Sequence, residues 1–155
     1  MNNGLYFLLH NVNSVNIVAE FTQTMLGFDV PNIIISKAEG SAAMSGVPTA
    51  HKLAFKNNKN LLYLKDISDV IELVEPDEVL LYVSKKYTDN IFNEMKVIKL
   101  LKQNKKVLIA FSGQKSGFSR QEMDFGHLIS LDLPSDISVL GSVAIILYKI
   151  FNVNK

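Results

Sequence analysis

Short, unbroken apolar runs, separated by stretches of helical spacing, constrain this chain more than any other feature. Residues 5–9, 32–36 (with three consecutive isoleucines), 61–64, 79–83, 107–111 and 128–133 each read as a strand. A run that is apolar without alternation belongs to a strand covered on both faces. Between these runs, Val15, Val18, Ala19, Thr22, Met25 and Leu26 recur at helical spacing after an Asn13-Ser14 cap pair, and Gly27 stops the helix. Ile67, Val70, Ile71 and Val74 space as a second helix ended by Pro76, and Ile91, Met95, Ile98 and Leu101 as a third with lysines on its outer side. Residues 138–151 form the last helix. Residues 41–44 read as one helical turn broken near Gly46-Val47-Pro48, residues 120–124 as another turn, and Lys56 and Lys59 among asparagines as loop. Strands separated by helices give an α/β single domain, with a parallel sheet between helices. At 155 residues the chain is one domain's worth.

Composition removes several chemistries. There is no cysteine, which excludes thiol nucleophiles, iron–sulfur clusters and thiolate zinc sites. Arg120 is the single arginine, so a guanidinium clamp has one candidate. The net charge of +1 provides no global field toward nucleic acid or membrane. The amino-terminal residues lack a basic leader and a cleavage site, and residues 139–151 are too short to cross a bilayer, so the reading is a cytoplasmic protein.

In parallel sheets of this kind ligands bind beyond the carboxyl ends of the strands, which directs attention to the segments after Phe111 and Leu133. Residues 112–119 form a loop with two glycines but match neither a P-loop nor a dinucleotide fingerprint; a structural turn and a ligand loop are equally compatible with them. Residues 138–144 open the last helix. Local signal alone favours a simple helix start, capped by Ser135 or Asp136, over an anion site. Beyond it, Val143, Ile145, Ile146, Leu147, Ile150 and Phe151 leave little polar face, so the helix needs cover on two sides, and a homodimer is the expected source of the second.

His10, His51 and His127 show no metal-ligand spacing, and no metal site is expected. Asp132, Asp136, Asp124 and Glu122 offer carboxylates that only the fold could bring together. No Gly-x-Ser-x-Gly elbow supports a Ser–His–Asp arrangement. Lys96, Lys99, Lys102, Lys105 and Lys106 make a basic stripe, ordinarily a solvated helix face, and Lys85, Lys86 and Tyr87 a smaller basic–aromatic spot.

Three segments in order resemble the SpoU-type RNA ribose methyltransferases of the SPOUT superfamily. The first runs from His10-Asn11-Val12-Asn13-Ser14 through the helix to Leu26-Gly27-Phe28-Asp29-Val30-Pro31-Asn32-Ile33-Ile34, with Ser41-Ala42-Ala43-Met44 following. The second is the run from Val107 through Ser119, in the place of that family's Gly-x-Glu-x-x-Gly loop. The third joins Ile129-Ser130-Leu131-Asp132-Leu133-Pro134 to the stretch from Ser138 to Tyr148. The resemblance implies a C-terminal trefoil knot, a homodimer packed through the last helix, and S-adenosyl-L-methionine bound in the knot. It places the cofactor against Phe111, Ser112, Gly113, Gly117, Ile129, Leu131, Leu133, Pro134, Leu140, Gly141, Ser142 and Ala144, and it gives a catalytic role to Asn13; Arg120, just past the loop, is the one guanidinium available to stand in for the family's arginine, from this chain or across the dimer.

The family's polar residues are replaced at three positions. Its helix-one arginine falls on Ala19, its loop glutamate on Gln114 and its helix-opening asparagine on Leu140. Losing a positioned general base costs about 10²–10⁴ in rate. The expected function is therefore an S-adenosylmethionine-dependent methyltransferase acting on tRNA or rRNA with atypical catalytic residues. Beside it stands a non-catalytic dimer of the same fold that binds RNA or protein. A third reading, a nuclease or other hydrolase, requires a metal-binding cluster of carboxylates that no local spacing supports.

Overall fold

The computed structural model describes residues 3–152. Its centre is a six-stranded, wholly parallel sheet made of β1 (Leu5–Val12), β2 (Asn32–Ala38), β3 (Asn60–Leu64), β4 (Glu78–Tyr82), β5 (Val107–Ser112) and β6 (His127–Ile129), in the order β3-β2-β1-β5-β4-β6. The fold class is the one expected. β1 and β5 occupy the middle; β5 is buried throughout and β1 nearly so, with Tyr6 partly buried in its apolar run, because helices cover both faces.

One face carries α1 (Val15–Gly27), α2 (Val47–Lys56), α4 (Glu94–Lys102) and α6 (Val139–Asn152), packed on Leu5, Phe7, Leu9, Ile33, Ile35, Ile109 and Phe111. The other carries α3 (Ile67–Val74) and the short α5 (Arg120–Met123), packed on Leu8, Ile34, Leu108 and Ala110 with Phe118. The alternation of Cβ directions along each strand splits the apolar residues between these two cores. On the first face Phe111 stacks between Phe7 and Tyr82, with ring centroids 5.9 and 5.6 Å apart.

Two expectations are corrected. The segment read as a broken turn and loop is a continuous helical stretch: a π-turn, Ala42–Gly46, runs directly into α2. The π-turn closes with the Val47 N–H donating to Ala42 O, and Pro48 follows directly, where the hydrogen-bond register changes from the π-turn to the α-helix. The last strand is shorter than residues 128–133. Only His127–Ile129 pair with β4, Ser130 bridges to Ile91, and the chain then leaves the sheet edge. From that edge residues 130–138 return across the carboxyl ends of the strands, where the Ser84 hydroxyl donates to Asp136 Oδ2 at 2.8 Å, before α6 docks against α1, α4 and β5. Ser138, rather than Ser135 or Asp136, caps α6, its Oγ accepting from the Gly141 N–H at 3.2 Å.

Among the described residues no helix is long and apolar enough to cross a membrane.

Candidate metal centre

Toward the carboxyl ends of the adjacent strands β2, β1 and β5 lies a polar row. His10 lies in register with Ser36 on one side and Ser112 on the other. His10 and Ser36 are fully buried. Immediately beyond them Asn11 (φ 62°) and Lys37 (φ 50°) take the left-handed conformation, which costs roughly 1–2 kcal/mol for a non-glycine residue. Both strands continue past the polar pair, and Val12 still pairs with Ala38.

Two carboxylates close on His10 from the helices of the second face. Glu122 comes from α5. Its position is fixed by a capping box in which the Ser119 N–H donates to Glu122 Oε1 at 2.8 Å and the Glu122 N–H donates to Ser119 Oγ at 3.1 Å. Glu122 Oε2 then reaches His10 Nε2 at 2.5 Å. Asp66 is the N-cap of α3, with the Ile67 N–H donating to Oδ1 at 2.7 Å, and that oxygen lies 3.9 Å from His10 Nε2. Phe118 stacks on the imidazole, ring centroids 6.0 Å apart and planes 9° from parallel. One ligand atom from each of His10, Asp66 and Glu122 lies within 4.8 Å of the other two. Donors on one first-row ion, each about 2.0–2.2 Å from it, are separated by up to about 4.2 Å, so the three groups reach a shared ion with small side-chain shifts.

Burial opposes the charge on Glu122. It is outweighed by the Ser119 N–H, by the hydrogen bond and charge of His10 and by the Ser119 hydroxyl, so the carboxyl titrates below its usual value. Beside an ionised Glu122, His10 Nε2 donates to the carboxylate, and Nδ1 faces the Ser36 hydroxyl 2.8 Å away, which can either donate to it or accept from it. Metal binding requires a bare Nε2. The Ser36 hydroxyl accommodates that change because it can equally accept a proton from Nδ1, so both tautomers of His10 are satisfied. The chain Ser36–His10–Glu122 has the composition of a hydrolytic triad, but Ser36 has no solvent access and cannot act as a nucleophile.

The residues expected to bind the cofactor divide. Ser112, Gly113 and Gly117 line a cleft of about 600 Å³ on the other side of the glycine-bearing loop, with Ile17, Tyr82, Val83, Gln114 and Ser138 among its walls. Phe111, Ile129, Leu131 and Ser142 are buried, Leu133, Leu140, Gly141 and Ala144 are partly buried, and Pro134 is exposed; none of these eight and Pro134 borders the cleft. Residues 136–139 take their place there. A Cβ on Gly113 would lie 2.8 Å from Asn11 O and from Val12 Cβ, so this glycine is needed to pass the end of β1. Asn13 is exposed between β1 and α1, its carbonyl accepting from Ser41 Oγ at 3.5 Å. Arg120 is exposed at the start of α5. Neither Asn13 nor Arg120 lines the cleft.

Of the carboxylates considered from sequence, Glu122 joins the cluster, whereas Asp132 pairs with Lys85 and Asp136 accepts from Ser84. His10 and Asp66 were missed. Each ends a strand or caps the helix after it, the place where parallel sheets gather functional groups, and this positional signal was present without any local spacing. The lysine stripe is in part a groove wall: Lys96 and Lys99 border a hollow of about 670 Å³ between α4 and β6.

Residues 40–149 match a family described as RecB-family nuclease (DUF2122). A provisionally named type II restriction enzyme of Methanocaldococcus jannaschii is 36% identical over 147 residues, 94% of each chain. The chain belongs to that nuclease family. A second provisionally named type II restriction enzyme, from Aeropyrum pernix, is 38% identical over 73 residues, 47% of each chain.

Family membership corrects the expected activity. The RNA methyltransferase implied by the resemblance, and the non-catalytic dimer kept beside it, give way to a family described as a nuclease. The resemblance did identify the fold. The SpoU methyltransferase AviRb of Streptomyces viridochromogenes, solved with AdoMet, superposes with a TM-score of 0.74 at 12% identity over 99% of this chain and 62% of its own. An AdoMet-bound rRNA methyltransferase of Sinorhizobium meliloti gives 0.69 at 9% identity over 97% and 56%. A provisionally assigned methylase family protein of Neisseria gonorrhoeae gives 0.77 at 12% over 96% and 82%. At such identities the shared property is the fold, a single α/β domain with a parallel sheet between helices. The family description and these neighbours' activities disagree.

Proposed function

We propose that this protein is a divalent-cation-dependent nuclease acting on DNA, with His10, Asp66 and Glu122 as its metal ligands. The convergence of the three ligand atoms within 4.8 Å at the carboxyl ends of the strands carries the reading. The family description and the relatives' names support it. An imidazole and two carboxylates suit Mn²⁺ or Mg²⁺ better than a thiophilic ion. Such an ion, when bound, polarises a phosphoryl oxygen and lowers the pKa of a bound water. The chain's own residues do the positioning. Ser36 holds the imidazole in either tautomer, Ser119 locks Glu122, the α3 cap orients Asp66, and Phe118 covers the ring. With Mn²⁺, the purified protein is expected to shorten an end-labelled DNA substrate, and EDTA or His10→Ala to stop it. Cleavage that persists in the variant would sink the assignment.

A second reading rests on the 600 Å³ cleft. We infer that it takes an adenosyl compound such as S-adenosylmethionine against Ser112, Gly113 and Gly117, as a bound ligand without methyl transfer. Support comes from the apolar walls, the size, and the AdoMet-bound fold neighbours. Calorimetry with S-adenosylhomocysteine tests it, and absence of heat at millimolar ligand removes it. We also infer a homodimer through α6, which leaves Tyr148 exposed and packs on α4, where Met95 is exposed as well; a monomeric mass by light scattering would overturn it.

A further inference from the structure

The charge of the chain is nearly balanced overall but not locally. Residues 40–65 contain Lys52, Lys56, Lys59 and Lys65 and no acidic residue, while the rest of the chain carries twelve basic and fifteen acidic residues. A positive band therefore lies on a molecule that is otherwise net negative. The band is the π-turn, α2 and β3, the strand at one edge of the sheet. Lys59 is engaged by Asp29, while Lys52, Lys56 and Lys65 are exposed.

Within the band the most exposed large apolar side chains of the described residues stand on one helical surface. Met44 is 83% and Phe55 82% exposed, with Pro48 and Lys52 between them at three- to four-residue spacing. Phe55 lies one residue from Lys56 and three from Lys52. An aromatic ring held in water beside lysines is poor surface for an ordinary globular protein. It suits a strand of nucleic acid, whose bases stack on the ring while lysines meet its phosphates. A duplex keeps its bases stacked inside and offers no face to such a ring.

The placement also leads to the metal centre. α2 ends at the amino end of β3, and β3 runs toward its carboxyl end, where Lys65 immediately precedes the ligand Asp66. Five strand residues cover about 17 Å, a span of two or three nucleotides of extended single strand.

We propose that α2 and the β3 edge form a docking surface for single-stranded DNA, with Phe55 as the stacking platform and Lys52, Lys56 and Lys65 as phosphate contacts. This deepens the nuclease reading and rests on it for the direction of the strand, but binding can be measured without metal. The experiment is fluorescence anisotropy of the full chain with a fluorescein-labelled oligothymidine of about fifteen nucleotides in EDTA. Phe55→Ala is expected to weaken binding about tenfold. The double variant Lys52→Ala/Lys56→Ala is expected to lower the slope of log affinity against log salt by about 1.4. Lys102→Ala, exposed on α4 outside this band, should bind as the wild type does, and an equivalent duplex should bind more weakly than the single strand. All the substituted surface residues are exposed, so circular dichroism should confirm unchanged folding. The proposal is overturned if the oligonucleotide does not bind, if these variants bind unchanged, or if Phe55 instead governs attachment to phosphatidylserine vesicles. Normal binding with no cleavage by the metal-loaded protein would leave this surface standing and remove the nuclease reading alone.

Discussion

Glu122 is the residue whose ionisation the structure uses most directly. Burial disfavours its charge, but the Ser119 N–H, His10 and the Ser119 hydroxyl together stabilise it, and its carboxyl titrates below the ordinary value. A carboxyl lowered in the folded state contributes stability that is fully present above the unfolded value, about 4.3, and is lost as pH falls through the folded value. Wild type should therefore lose more melting temperature than Glu122→Gln between about pH 5 and pH 3, as thermal denaturation at stepped pH would show. Equal losses would mean that the carboxylate gains nothing from its neighbours. At this scale the sequence was partly legible. Glu122 was visible only as one of four carboxylates the fold could gather, because its partner is 112 residues away and such a pair has no local signature.

At the scale of elements, α3 gives Asp66 two duties that substitution can separate. As N-cap it accepts from the Ile67 N–H and shares a box with Asp69, while the same side chain faces His10. Asparagine caps helices about as well as aspartate but binds a divalent ion poorly, whereas alanine loses about 1 kcal/mol of cap. Chemical denaturation is thus expected to show Asp66→Asn near wild type and Asp66→Ala destabilised by about that amount, with metal-dependent cleavage lost in both. The elements themselves were largely visible beforehand, since continuous apolar runs mark buried parallel strands. The helix Val47–Lys56 was hidden because Gly46 and Pro48 resemble punctuation. In the folded chain both lie inside one helical run, Gly46 ending the π-turn and Pro48 following it in α2.

For the whole molecule, fold and activity separate. The order β3-β2-β1-β5-β4-β6 and the return of the chain to α6 place this protein among SpoU-like structures, yet the family to which it belongs is described as a nuclease. The fold was legible through resemblance because spacing and order of segments survive at low identity. The activity was not, because it depends on which side chains occupy the strand ends, and the polar residues of the resembled family are replaced at Ala19, Gln114 and Leu140. What the strand ends do hold is a histidine and two carboxylates meeting at one point. Isothermal titration of Mn²⁺ into the metal-free protein, wild type beside Asp66→Asn, tests that centre most directly. One ion bound per wild-type chain and a greatly weakened or absent site in the variant is the result predicted. No binding by the wild type, or equal binding by both, would contradict it.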